Sequence, residues 1–539
     1  MKKKLAAEEF AHPSYKWIGE RRFVINTQNW HISNFPGGIG FSFYNYSNEK
    51  ALKVILKVYR EDGACEFYIV DTYYCGEWGD IWQKWQTHRL PLFPYESCHR
   101  RIKYITFSYI IHKDGRSIPS KYDYKFATLD DFHKGWIDLS DFHDPYFKTE
   151  NNYSTCELNQ EELQQALKRI NNEYDNLPIR PFFTRGNTWD TGHPVHEIHR
   201  HIDWTIERKR NDRRGRHYIL IAMFDFDNYH VAEHLIYAKN NGIDIECIAD
   251  WASISSMNCT ENVARMRRAG IPIYGVVRNT PCNSSEGIAS MHTKFIIFDG
   301  EIVHSGSYNL HFHLWGGNWE NGLVYYSRDF ALLYSNIYNA IRGGVIQRLH
   351  VDPQERYNLY YSFGSYYTSW RDYYRPQDAI ITEINNARHS IIVAMFDIDH
   401  LTGISSHDSH ETDVITALIN ARNRGVRVRI IMNGMVTHTG PLPEPWDRDF
   451  RRPLKDPIQR LKDAWMEVTY VYYWESIYSP LHHKFAVFDN YTVITESCNW
   501  CRVSTYSDEV LSVIKDRRIA MEFINEADRL CRSFRLGWE

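Results

Sequence analysis

A stretch that the chain carries twice limits its architecture more than any other feature. Residues 291–309 read MHTKFIIFDGEIVHSGSYN and residues 481–499 read LHHKFAVFDNYTVITESCN. Each copy places a His, a Lys two residues on, an Asp five residues after that, and a Ser-x-Asn beyond the Asp. The first supplies His292, Lys294, Asp299, Ser307 and Asn309; the second supplies His482, Lys484, Asp489, Ser497 and Asn499. Alternate side chains of a strand share a face, so His292 and Lys294 point the same way, as do His482 and Lys484.

The repetition runs well beyond these stretches. FFTRGNTWD (182–190) has a counterpart in YYSFGSYYTSW (360–370), and HYILIAMFDFD (217–227) in HSIIVAMFDID (389–399). The latter pair are continuous apolar strands, as in a sheet buried on both faces. HVAEHLIYAKNNGIDIECIAD and ETDVITALINARNRGVRVRIIMN then read as helix, Gly stop and strand, with Gly242 and Gly425 where a helix C-cap needs positive φ. Alternating helices and parallel-type strands predict an α/β fold of two α/β sandwich halves, residues 179–350 and 351–539, packed about a pseudo-twofold axis.

Residues 1–155 read differently. RRFVINTQNWHI, GGIGFSFYNY, ALKVILKVYR, CEFYIVDTYY and RIKYITFSYIIH are short runs rich in β-branched and aromatic residues, with turn residues between them. They predict an antiparallel β-sandwich accessory domain. Trp78, Trp82 and Trp85 either pack it against its neighbour or offer a stacking surface to a glycan or protein partner. A helix within 156–178 connects it to the core, with Asn159 as N-cap, Glu162 in capping-box position and an apolar face of Leu163, Ala166, Leu167 and Ile170.

Composition narrows the function classes. A net charge of −4 gives no global field to attract nucleic acid or an anionic membrane. No apolar run is long enough to span a bilayer. The N-terminal MKKKLAAEEFAHPSYKW lacks the apolar core of a secretory signal, so a cytoplasmic protein is expected, or a secreted one if a leader has been removed. The ten Cys are scattered, and Cys498 and Cys501 read as reduced, partly buried thiols.

If the halves meet about the pseudo-twofold, two His, two Lys and two Asn converge on one pocket. Lys and Asn stabilise charge on phosphoryl oxygens, so the set suits an anionic phosphodiester and needs neither metal nor other cofactor. One His attacks phosphorus; the other, protonated, gives its proton to the leaving oxygen and then takes one from water or an alcohol. The doubled H-x-K-x4-D with G-S-x-N resembles the phospholipase D superfamily over residues 180–539. That resemblance implies a Glu some ten residues past each Asn that helps orient the histidines, here Glu320 and Glu509, and supporting roles for Asp299, Asp489, Ser307 and Ser497. It also implies His292 as nucleophile and His482 as general acid. The substrate it implies is a phospholipid, slightly favoured, or DNA or RNA.

One residue departs from the pattern: Glu496 stands where the first copy has Gly306. A carboxylate there either repels substrate, leaving a degenerate core and a binding protein, or points away as a structural partner. Asp225, Asp227, Asp397 and Asp399 read as caps or loop anchors. His193, His196, His199 and His201 crowd one helix start without a carboxylate at zinc-site spacing. His483 falls on the strand face opposite His482 and reads as structural. The basic run 207–216 reads as a solvated loop or a nucleic-acid contact, and the Pro-rich loop 433–457, with Arg448, Arg451 and Arg452, as a specificity loop.

Overall fold

The structure, a computed structural model, describes residues 158–184, 194–226, 228–254, 257–277, 289–310, 318–342, 349–362, 375–406, 410–437, 453–471 and 481–535, together with strand backbone between residues 15 and 128. The strands ahead of the core are β1 (Tyr15–Ile18), β2 (Phe23–Ile32), β3 (Phe35–Asn45), β4 (Ala51–Arg60), β5 (Cys65–Asp71), β6 (Leu90–Leu92), β7 (Ile102–Lys113), β8 (Arg116–Pro119) and β9 (Tyr124–Thr128). β1, β2, β3 and β6 form one sheet; β4 pairs with β5 and β7, and β7 with β8 and β9. β5 also pairs in parallel with residues 274–277, so this second group extends a core sheet. The face-to-face packing expected of a sandwich, and the Trp78, Trp82 and Trp85 cluster, lie outside the described residues.

The first half runs through α1 (Gln160–Asn172), β10 (Ile179–Phe183), α2 (Pro194–Asn211), β11 (Tyr218–Met223), α3 (Tyr229–Asn240), β12 (Asp244–Asp250), α4 (Trp251–Ile254), α5 (Met257–Arg268), β13 (Ile273–Val277), β14 (Lys294–Phe298), β15 (Ile302–Gly306), β16 (Asn321–Tyr326) and α6 (Arg328–Arg342). The second runs through β17 (Tyr357–Ser362), α7 (Pro376–Asn386), β18 (Ser390–Met395), β19 (Thr402–Ile404), β20 (Glu411–Asp413), α8 (Val414–Asn423), β21 (Arg427–Asn433), α9 (Asp456–Asp463), β22 (Glu467–Val471), β23 (Lys484–Phe488), β24 (Thr492–Glu496), β25 (Glu509–Lys515) and α10 (Arg517–Arg535). Their sheets match position for position: β10-β16-β15-β14-β11-β12-β13 and β17-β25-β24-β23-β18-β21-β22.

The sheets are mixed, where the alternation of elements predicted parallel strands. β11, β12 and β13 are parallel, as are β18, β21 and β22, because helices carry the chain back between them. β14, β15 and β16 are antiparallel, as are β23, β24 and β25. A tight turn after each motif strand folds it against the next, β14 on β15 and β23 on β24. Asp299 and Gly300 both have positive φ (52° and 64°), as do Asp489 and Asn490 (51° and 54°), the geometry that folds a strand straight back on itself. Gly242 (φ 84°) and Gly425 (φ 89°) end α3 and α8 in the left-handed conformation.

One apolar layer is shared. Phe295, Ile297 and Tyr325 from the first sheet, Phe485, Val487 and Val510 from the second, and side chains of α1, α6 and α10 form a single buried cluster. Separate clusters lie under the outer helices of each half. The order is therefore helices, sheet, shared helical layer, sheet, helices. α1 is part of that middle layer. Asn159 caps it by accepting from the Glu161 N–H (2.9 Å), and its apolar face is buried. Asn171 accepts from Tyr357 N–H (2.8 Å) and donates to Tyr357 C=O (3.1 Å), tying α1 to the start of the second half.

Glu496 belongs to this shared layer. It ends β24 with φ at 121°, a conformation that costs a residue bearing a Cβ about 1–3 kcal/mol. Its buried carboxylate accepts hydrogen bonds from Ser305 (2.5 Å) and Tyr325 (2.7 Å) of the first half, from Tyr334 of α6, and from Ser512. It is thereby turned into the seam between the halves. Burial, against these donors, pushes its carboxyl above the usual range. At the matching Gly306 no side chain fits: a Cβ would lie 2.4 Å from Asn321 C=O. Glu496→Ala removes the shared acceptor and orphans buried hydroxyls. It is expected to lower unfolding stability by about 3 kcal/mol, read from urea denaturation midpoints.

Candidate active site

The two motif histidines lie where the halves cross. His292 precedes β14 and donates its backbone N–H to Asp508 C=O (3.0 Å); His482 precedes β23 and donates its own to Trp319 C=O (2.9 Å). Each segment is thus pinned to the opposite half. The imidazoles repeat the exchange. His482 Nδ1 lies 2.9 and 2.8 Å from the Glu320 carboxylate oxygens, and His292 Nδ1 lies 3.0 Å from both oxygens of Glu509. Ser307 donates to Glu320 and Ser497 to Glu509, each at 2.6 Å. Two matching chains result, Ser307–Glu320–His482 and Ser497–Glu509–His292. With Nδ1 occupied in both rings, Nε2 is the nitrogen left for chemistry.

The lysines complete the pocket. Lys294 Nζ donates to His292 C=O (2.7 Å), and Lys484 Nζ lies 3.0 Å from His482 Nε2. Each ammonium also sits over a ring, Lys294 over Phe224 (5.1 Å) and Lys484 over Phe396 (5.2 Å). The same rings meet the histidines edge-on, at 5.1 Å for His292 and 4.8 Å for His482. Phe224 and Phe396 therefore wall the site, a role that sequence reasoning missed. The signal was available, since both belong to the identical Ala-Met-Phe-Asp of the repeat. The Asn309 and Asn499 side-chain oxygens are buried with no hydrogen-bond partner among the described residues.

Asp299 and Asp489 are not at this pocket. They sit past the far ends of β14 and β23, about 20 Å along the strand from the histidines. Asp299 accepts from Arg208 Nε (2.5 Å) and His217 Nδ1 (2.8 Å). Asp489 accepts from the backbone N–H groups of Arg388, His389 and Ser390 (2.9, 2.7 and 2.9 Å), which anchors the start of β18. Those amides hold its carboxyl below the usual range against the opposing effect of burial.

Other sequence candidates find local uses. In the basic run, Arg208 pairs with Asp299 and Glu301, Arg216 with Asp244, and Lys209 donates to two backbone carbonyls. Asp225 accepts from Ser253, and Lys455 lies 3.9 Å from Asp397. His199 stacks on His234, and His201 meets His304 at 2.7 Å. Cys498 and Cys501 are buried free thiols. Asp227, His193, Arg448, Arg451 and Arg452 lie outside the described residues. No helix among the described residues is long and apolar enough to cross a membrane.

Burial sets the electrostatics. It lowers Lys294 to about 7, with Lys484 adding repulsion, and lowers Lys484 to about 8 against the pull of Glu320 and Glu509. It pushes His482 down to about 4, opposed by Glu320, and His292 well below the ordinary range. The carboxylates diverge. Burial raises Glu509 to about 8, whereas at Glu320 the same penalty is overcome by His482 and Lys484, which hold it at about 2. The pocket thus holds two ammonium groups close to giving up their protons, a state that an anion would reverse.

A family model described as the phospholipase D-like domain of cardiolipin synthase matches residues 213–342 and 380–531. A mitochondrial cardiolipin hydrolase from Chlamydomonas reinhardtii is 27% identical over 124 residues, 23% of this chain and 48% of the relative, so the chain spans about half the length of that relative. Among solved structures, phosphatidylserine synthase from Haemophilus influenzae Rd KW20 is 12% identical, with 68% of this chain and 90% of that one covered and a TM-score of 0.44. The phospholipase D family member Nuc from Salmonella typhimurium is 19% identical, with 31% and 97% covered and a TM-score of 0.24.

The lysine shifts predict the pH dependence of anion binding. A protonated ammonium binds an anion and a neutral amine does not. Affinity for tungstate is therefore expected to fall as pH rises through about 7–8, where Lys294 and Lys484 lose their protons. Calorimetric titration from pH 6 to 9 reads this directly; affinity that holds constant or rises across the range would contradict it.

Proposed function

The chain belongs to the phospholipase D superfamily, and on that footing we propose that it is a phosphodiesterase working by double displacement through a covalent phosphohistidine. The observation that carries the reading is the exchanged pair of His–Glu contacts, each imidazole held at Nδ1 by a carboxylate of the other half. Two nitrogens so held act on one phosphorus from opposite sides, as an in-line displacement requires.

In the first step His292 Nε2 attacks phosphorus, the P–N bond forms and the bond to the leaving oxygen breaks. His482, protonated through Nε2, gives its proton to that oxygen. In the second step water or an alcohol gives a proton to His482 as it attacks phosphorus. The P–N bond then breaks and both imidazoles return to their starting states. Lys294, Lys484, Asn309 and Asn499 bind the non-bridging oxygens throughout. An anionic substrate also returns both lysines to their charged form, because it offsets the burial and mutual repulsion that depress them.

The proposed substrate is a phospholipid. The matching family model is named for a cardiolipin synthase and the relative for a cardiolipin hydrolase, so both names concern a phospholipid as product or substrate. Structural contacts hold Arg208 and Lys209 of the basic run, while Arg210, Arg213 and Arg214 stand exposed, so nucleic acid is the rival substrate that the test must separate. The engagement of Glu496 with hydroxyls away from the pocket weakens the reading of a degenerate core.

The test compares cardiolipin and phosphatidylcholine vesicles, with a primary alcohol present, against single-stranded DNA. Turnover of lipid with transfer to the alcohol is expected. Cleavage of DNA with lipid untouched would overturn the substrate, and unchanged rates in both His292→Asn and His482→Asn would overturn the mechanism. Each variant is expected to lose ~10³-fold or more in kcat. Rapid quenching into alkaline detergent should leave the phosphorus label on His292.

A further inference from the structure

Residues 319–321 of the first half meet residues 482–484 of the second in order. Trp319 C=O accepts from His482 N–H (2.9 Å), Glu320 holds His482 Nδ1, and Asn321 Oδ1 accepts from Lys484 N–H (2.8 Å). Asn321 is wholly buried, and its Nδ2 donates to Thr495 Oγ1 (2.7 Å), which donates in turn to Lys484 C=O (3.1 Å). One side chain from the first half therefore grips both strands of the β23–β24 hairpin at its Lys.

Neighbouring contacts brace the same point. His483 Nε2 lies 2.9 Å from Glu526 of α10, and His483 Nδ1 lies 3.3 Å from Asn321 Oδ1. Arg529 donates to Glu526 (2.7 Å) and to Thr184 C=O (3.2 Å), and stacks over Trp319 (4.6 Å). Hydrogen bonds and stacking thus run in a closed ring from Trp319 through the His482–Lys484 segment and back.

The pseudo-twofold breaks here. In the other half-site Asp508 C=O accepts from His292 N–H (3.0 Å) and Glu509 holds the imidazole. Val510 then stands where Asn321 stands, and an apolar side chain has no group to give Lys294 N–H. Ser305, in the place of Thr495, keeps the contact to its own Lys carbonyl (3.3 Å to Lys294 C=O), but its second partner is the Glu496 carboxylate rather than an amide that also reaches the Lys N–H.

We propose that Asn321 is a positioning residue for the second half-site, fixing the His482–Lys484 segment as proton donor to the leaving group. The proposal rests on the phosphodiesterase reading above with His482 as general acid. Proton transfer depends on a donor held within hydrogen-bond reach of the departing oxygen, so a small displacement slows it.

The test uses leaving groups of unlike need. A nitrophenyl phosphodiester departs as the phenolate without a proton; an alkyl phosphodiester requires one. Asn321→Val, which copies Val510, is expected to lower kcat/KM, which reads only as far as loss of the leaving group, ~10–100-fold on the alkyl ester with less than a ~3-fold change on the nitrophenyl ester. Equal losses on both esters, or none on either, would overturn the proposal. Should that variant fail to fold, Thr495→Val breaks the same grip from the other side and is expected to show the same split, to a smaller degree. A wild-type protein that turns over neither ester removes the phosphodiesterase reading itself and this inference with it.

Discussion

The site depends on an exchange. Each imidazole is held by a carboxylate from the other half, and each motif backbone by a carbonyl of the other half. A buried His–Glu contact is costly to form, because both groups lose water, and is tolerated only where remaining lone pairs are satisfied. Ser307 and Ser497 meet that need at Glu320 and Glu509. The shared apolar layer then presses the two sheets together so that these contacts stay short.

Symmetry supplies the parts of the site, and its surroundings are not symmetric. In the proposed displacement one histidine attacks phosphorus while the other holds a proton. The pocket splits its protons unevenly, with Glu320 held near 2 and Glu509 raised to about 8. The seam is uneven as well, with Glu496 gathering hydroxyls on one side and Asn321 gripping the motif strand on the other. The departure at Glu496, which looked like a threat to phosphate binding, is instead part of what joins the halves.

What was legible in the sequence follows the range of the physics involved. The duplicated spacing and helix–Gly–strand runs are local, and they carried the two α/β halves into view. Strand direction beyond β14 and β23 departs from the parallel pattern that the alternation suggests, because the turns at Asp299-Gly300 and Asp489-Asn490 reverse the chain with no returning helix. The convergence of His, Lys and Asn could be inferred from a pseudo-twofold. Which carboxylate serves which histidine could not, since that depends on how two sheets pack. Asn321 and Val510 carry no motif, and their difference has meaning only once the second half lies against the first. Phe224 and Phe396 were in plain sight in a repeated tetrapeptide, whose Asp residues drew attention instead.

The parallel pairing of β5 with β13 reaches beyond the site. An open sheet edge is a template on which other chains can polymerise, and α/β halves of this kind have one beside their last parallel strand. In the first half that edge is occupied by the chain's own N-terminal region, which continues the sheet through β4, β7 and β8. In the second, β22 ends the sheet as a strand of five residues that opens on a charged Glu467. The N-terminal region thus shields one repeat from self-association, while brevity and charge shield the other. Two copies of one fold finish the same sheet edge by different means.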